Sequence, residues 1–145
     1  MKLKTSILQL KKLQVEQFKL EENINGINKF ILDADFIPVE SAESDSNEKY
    51  RGFHFTLKVN DRAKNPALKS KIEIAVLFDV DKNLPEEKQV NFILYNGLAI
   101  IYGIIRGMIF QACSILPPDR RLLPSVNLAD FINSKLQELT EDKNN

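Results

Sequence analysis

Residues 96–110 read NGLAIIYGIIRGMIF, and the fold turns on how that run is covered. It holds three glycines and a single charge, Arg106. Placing residues at about 100° each sorts the surrounding helix into faces. One face carries Val90, Ile93, Leu94, Gly97, Ile100, Ile101, Ile104, Met108 and Ile115. The opposite face carries Phe92, Tyr95, Ala99, Tyr102, Ile109, Phe110 and Cys113, with Arg106 among them. Between them runs a narrow stripe of small or polar groups, Asn96, Gly103, Gly107 and Ser114. A helix apolar all round must be buried all round. One small sheet covers one face, and each large apolar side chain left in water forgoes about 1.5–3 kcal/mol. The economical cover is a partner subunit across a two-fold axis. The contact is expected at Asn96, Ala99, Tyr102, Gly103, Arg106, Gly107 and Phe110. The alternative is that the amino-terminal segment folds back over the helix.

A membrane span is the other use for such a run. A spanning helix needs about 20 apolar residues. Here Asn96 interrupts the apolar stretch and Arg106 ends it, so a window of that length would centre the arginine at about 2.5–3.5 kcal/mol. Membrane insertion is therefore not expected, although Gly103-x-x-x-Gly107 has the spacing of a membrane dimerisation motif.

The remaining segments declare themselves by period. Phe53, Phe55, Leu57 and Val59 alternate with polar residues, and so do Ile72, Ile74, Val76, Phe78 and Val80, which is the period of half-buried strands. The polar connection between them predicts an antiparallel pair. In LQLKKLQVEQFKLEE the apolar parity slips after Leu10 and again after Val15, as bulges in a long twisted strand would require. KFILDADFIPVE reads as a fourth strand, placed at an edge by Pro38. SAESDSNEK reads as a charged loop. Strands thus lie within about residues 5–80.

Pro85, Glu86 and Glu87 open the long helix, which runs to about residue 115, before Pro117 and Pro118. Asn127 and Asp130 make a capping pair for a second helix over about 127–140, with 141–145 as a frayed tail. Strands followed by helices give one α+β domain over residues 1–145, its antiparallel sheet covered on one face by the helices and the whole oligomeric.

Charge and chemistry narrow the function. Lys plus Arg and Asp plus Glu both number 20, so the formal net charge is zero and no nucleic-acid partner is expected. The single cysteine fits a reducing compartment, and the amino-terminal apolar run is broken by Gln9 and by Lys11 and Lys12, so a cytoplasmic location without a signal peptide is expected. No nucleophile elbow, phosphate loop or zinc motif is present. One histidine and one cysteine make a metal site only with several carboxylates. Cys113, near a helix carboxyl end, is expected to have a raised pKa and a packing role, and His54 a cross-strand or surface role. No enzyme activity, cofactor or metal is expected.

The run NGLAIIYGIIRGMIFQACS, followed by RRLLPSVNLADFINSKL, resembles the carboxyl-terminal half of the SecB family of protein-export chaperones. Leu122, Pro124, Val126, Asn127, Leu128 and Phe131 fit the family's connector segment, and LQLKKLQVEQFKLEE is similar to its first strand. The resemblance implies a four-stranded antiparallel sheet with two helices, assembled as a dimer of dimers. It also implies ATP-independent holding of unfolded or precursor polypeptides in apolar grooves, with delivery to the export motor SecA. The groove would be lined by the connection after the first strand, here Phe30, Ile31, Phe36 and Ile37. The SecA docking patch would use Glu21 and Glu73. Gln17 and Lys71 depart from the acidic pattern of that patch, and the neutral chain departs from the acidic family. A dedicated chaperone of one client, such as a toxin–antitoxin component, or a scaffold with the same fold, is the alternative.

Overall fold

The structure is a computed structural model that describes residues 1–42 and 49–144. Four strands, β1 (Leu8–Glu22), β2 (Leu32–Ala42), β3 (Lys49–Val59) and β4 (Leu68–Val80), precede three helices, α1 (Glu86–Ala112), α2 (Pro118–Arg121) and α3 (Leu128–Asn144). The strands form one antiparallel sheet in the order β1-β4-β3-β2. The charged loop expected at SAESDSNEK falls mostly outside the described residues.

Alternation builds the two central strands. Phe53, Phe55, Leu57 and Val59 of β3 and Leu68, Ile72, Ile74, Val76 and Phe78 of β4 all point to one side and are buried there. The other, open side carries His54, Thr56, Lys58, Lys71 and Glu73. In β1 the register slips between Leu10 and Lys12 and between Val15 and Gln17, the two places where the apolar parity changes. Each bulge returns the next apolar residue, Leu13 or Phe18, to the helix side. Pro38 lies in edge strand β2, where a missing N–H costs no ladder bond.

Because β1 and β2 are opposite edges, residues 23–31 must cross the end of the sheet. Asn60, fully buried, pins that crossover: its Nδ2 donates to the carbonyls of Lys29 and Leu68 at 2.7 Å each, and its Oδ1 accepts the N–H of Ile31 at 2.8 Å. Gly26 passes so close to Pro66 that a Cβ would sit 2.5 Å from its carbonyl carbon.

α1 crosses the helix side of the sheet and buries Ile93, Leu94, Gly97, Leu98, Ile101, Tyr102, Ile105 and Ile109. By length and composition it could cross a membrane, but this side of it is the core of the domain. It stops at Ala112, a turn short of the expected end. There the Glu22 carboxylate accepts the N–H groups of Ser114, Ile115 and Leu116 at 3.1–3.2 Å and bends the chain away. The proline-rich connector contains a single turn, α2, that periodicity did not reveal.

Asn127 caps α3 as expected: its Oδ1 accepts the Asp130 N–H at 3.1 Å, and its Nδ2 donates to the Asp130 carboxylate at 2.9 Å. The helix then continues to Asn144, so the expected tail at 141–144 is helical. The added turn, Glu141, Asp142, Lys143 and Asn144, is polar throughout and shows no apolar stripe.

Candidate functional site

α1 is covered on the sheet side and beside α3, but Asn96, Ala99, Ile100, Gly103 and Gly107 remain exposed, with Phe92, Ile104 and Met108 half-buried around them. The glycines separate the two sides. A Cβ on Gly97 would lie 3.0 Å from the Phe78 ring, whereas on Gly103 or Gly107 it would meet nothing within 4 Å. The small-residue stripe therefore faces outward. Beyond it, on the helix side of edge strand β1, Val15 and Phe18 stay 41% and 37% exposed. A lone chain thus presents apolar residues that its own sheet and helices do not reach.

Of the residues expected at a subunit contact, Asn96, Ala99, Gly103 and Gly107 lie on this outward surface. Tyr102 is buried, while Arg106 and Phe110 are half-buried, and all three make contacts within their own chain. The Tyr102 hydroxyl donates to the Pro124 carbonyl, and Arg106 Nε donates to the Leu123 carbonyl at 2.9 Å. Arg121 stacks over Phe110, its guanidinium carbon 4.6 Å from the ring centroid, and donates to the Cys113 carbonyl at 2.7 Å. These three residues hold down the connector between α1 and α3. Arg106, the odd charge in an apolar helix, is a donor for the Leu123 carbonyl in a connector whose prolines leave it without a regular ladder.

Beside this clamp lies an apolar cleft lined by Leu32 and Ala34 of β2, Phe55 and Leu57 of β3, Tyr102, and Val126, Leu128 and Phe131. The four residues expected in a groove do not converge on it. Phe36 is 1% exposed, packed edge-on against Phe131 with ring centroids 5.6 Å apart. Ile37 is 61% exposed on the open side, because neighbours in a strand point opposite ways. Phe30 is half-buried and Ile31 exposed in the crossover. The residues of this strand that line the cleft are instead Leu32 and Ala34, on the same face as Phe36. α3 closes over Phe36 through that ring contact, through Lys135 paired with Asp35 at 2.7 Å, and through the Tyr95 hydroxyl bound to Asn133.

The open side of the sheet has a different character. Glu21 stands opposite Lys69, and Glu73 has Lys71 Nζ 3.4 Å from its carboxylate. Lys19 and Lys58 both face Lys71 across the ladders. The expected acidic patch is therefore of mixed charge. His54 Nε2 and the Glu16 carboxylate are 2.8 Å apart, the Glu16 side chain reaching across β4 over the small Ala75.

Cys113 is buried, and burial first, then the neighbouring Glu22 carboxylate, pushes its thiol up to about 11. It packs in the core of the domain.

No protein-family model matches the chain, and no curated protein does. Among solved structures, the fold matches a Mycobacterium tuberculosis SecB-like chaperone, Rv1957, solved in complex with a ChAD peptide from the HigA1 antitoxin Rv1956. The TM-score is 0.51 at 17% sequence identity, over 83% of this chain and 91% of that one. The four-stranded antiparallel sheet with helices packed on one side is a SecB-like α+β fold.

Proposed function

We propose that this chain is an ATP-independent polypeptide-holding chaperone of the SecB-like kind, working in the cytoplasm on a narrow set of clients. The observation that carries the reading is the apolar surface a single chain leaves uncovered on this fold. The outward stripe of α1 suits a second copy, with Ala99, Gly103 and Gly107 letting a partner backbone approach. The cleft between β2 and the connector suits an extended client segment, captured by burying side chains and by the free edge of β2. Many such weak contacts add up along one client.

Two features favour a dedicated client over export. The open side sets Glu21 opposite Lys69 and pairs Glu73 with Lys71, which weakens the field an acid-seeking motor would follow. The structural neighbour, at a likeness that reaches only the fold, was solved with an antitoxin peptide. No catalytic role is assigned to any side chain.

Purified protein mixed with a slowly refolding substrate at stoichiometric ratio should slow its aggregation, followed by light scattering. A pull-down from native lysate should return one dominant polypeptide. No slowing, together with a monomeric solution mass, would overturn the reading; a broad spread of secretory precursors would restore the export role.

A further inference from the structure

The Glu16–His54 pair has a third neighbour that the holding function does not use. One His54 ring nitrogen, one Glu16 oxygen and one Glu73 oxygen all lie within 4.8 Å of one another on the open side of the sheet. We propose that Glu16, His54 and Glu73 form a zinc-class divalent cation site, with solvent completing the coordination. One imidazole and two carboxylates are a donor set that zinc accepts in sites keeping an open position. Each donor comes from a different strand: Glu16 from the second bulge of β1, His54 from β3 and Glu73 from β4. That bulge turns the two successive residues Glu16 and Gln17 toward the open side.

Tetrahedral ligands at about 2.0–2.2 Å from zinc stand roughly 3.4 Å from one another. Closing the trio to that spacing asks for a shift of little more than an ångström, and the Glu16 side chain is 40% exposed and free to swing. Gln14, Ala75 and Leu77 line an adjoining hollow on the same side, leaving room for water. Lys71 competes for Glu73, but at 3.4 Å the pair is loose and the Lys71 side chain is 34% exposed. An imidazole ligand favours zinc, cobalt or nickel over magnesium or calcium. A bound ion would tie edge strand β1 to the two central strands.

The test titrates untagged full-length chain, first stripped with a chelator, with zinc chloride by calorimetry, and follows cobalt binding by visible absorbance. One ion per chain is expected, with affinity reduced about tenfold or more in His54→Gln and in the exposed Glu16→Gln. Lys71→Met should bind more tightly, because it removes the competitor. Magnesium should give no heat. Absence of zinc binding, or binding undiminished in Glu16→Gln, would overturn the site and leave the trio an ion-pair cluster. Melting curves without metal establish that each variant is folded, and Glu16→Gln alone decides the matter if His54→Gln is not.

Discussion

Asn60 is fully buried at φ 56° and joins three segments: the crossover, the end of β3 and the start of β4. Asparagine tolerates that left-handed backbone better than most residues, and its amide satisfies groups that would otherwise be orphaned. Asn60→Ala should therefore cost about 2–4 kcal/mol in chemical denaturation. Asn60→Gly relieves the backbone but not the lost hydrogen bonds, so it should fall between the two. Glu22 acts at a second such junction. Burial raises its carboxyl pKa, but the N–H groups of Ser114, Ile115 and Leu116 outweigh that and hold it below the ordinary 4.5. A depressed folded-state pKa contributes stability that is complete above the unfolded value and lost as pH falls through the folded one. Glu22→Gln should lower stability by about 1 kcal/mol at neutral pH, and the gap to the parent should shrink as the pH drops below 4.5. A constant gap across that range would mean that the carboxylate charge contributes nothing. Neither junction was legible beforehand, since all but the Asn60–Leu68 bond join residues far apart in sequence.

At the scale of elements, Gly97 and Gly103 look alike in sequence and differ in space. Gly97→Ala drives a methyl toward the Phe53 and Phe78 rings at 3.0–3.1 Å, and both rings are fully buried and cannot yield. An overpacking cost of about 1–3 kcal/mol should exceed the roughly 1 kcal/mol that alanine gains in a helix, so stability should fall by up to about 2 kcal/mol. Gly103→Leu meets open space within its own chain. It should leave the melt of an isolated chain nearly unchanged while reducing the native mass measured by light scattering. A mass unaltered by Gly103→Leu would remove α1 from the assembly. This contrast shows what the sequence could and could not supply. The bulges of β1 were legible because a strand has only two faces, so a parity slip admits one explanation. The faces of α1 were not, because apolar residues on every side leave its rotation undetermined. The hold of Tyr102, Arg106 and Phe110 on the connector was accordingly not foreseen. The length of α3 was hidden for the opposite reason: residues 141–144 are all polar and carry no stripe.

For the whole molecule, the two sides of the sheet differ in character, and Val126 of the connector and Ile37 of β2 test which side holds a client. The cleft side is floored by Phe55 and Leu57, and its rim residue Val126 is 40% exposed. Ile37 projects from the opposite side and is more exposed still. If extended polypeptide is held in the cleft, Val126→Asp places a charge where a client side chain would be buried. Losing about 1.4 kcal/mol there weakens client affinity about tenfold. Ile37→Asp, though it removes a more exposed apolar group, should leave affinity unchanged. Phe36→Ser cannot serve as the probe, since it opens the core beneath Phe131 and would cost about 3–5 kcal/mol of stability. Affinity for a fluorescent unfolded polypeptide, measured at matched native mass, separates the cases. Equal loss in Val126→Asp and Ile37→Asp would mean that capture depends on diffuse hydrophobicity. Loss in Ile37→Asp alone would move the client to the open side of the sheet, onto the face that carries His54.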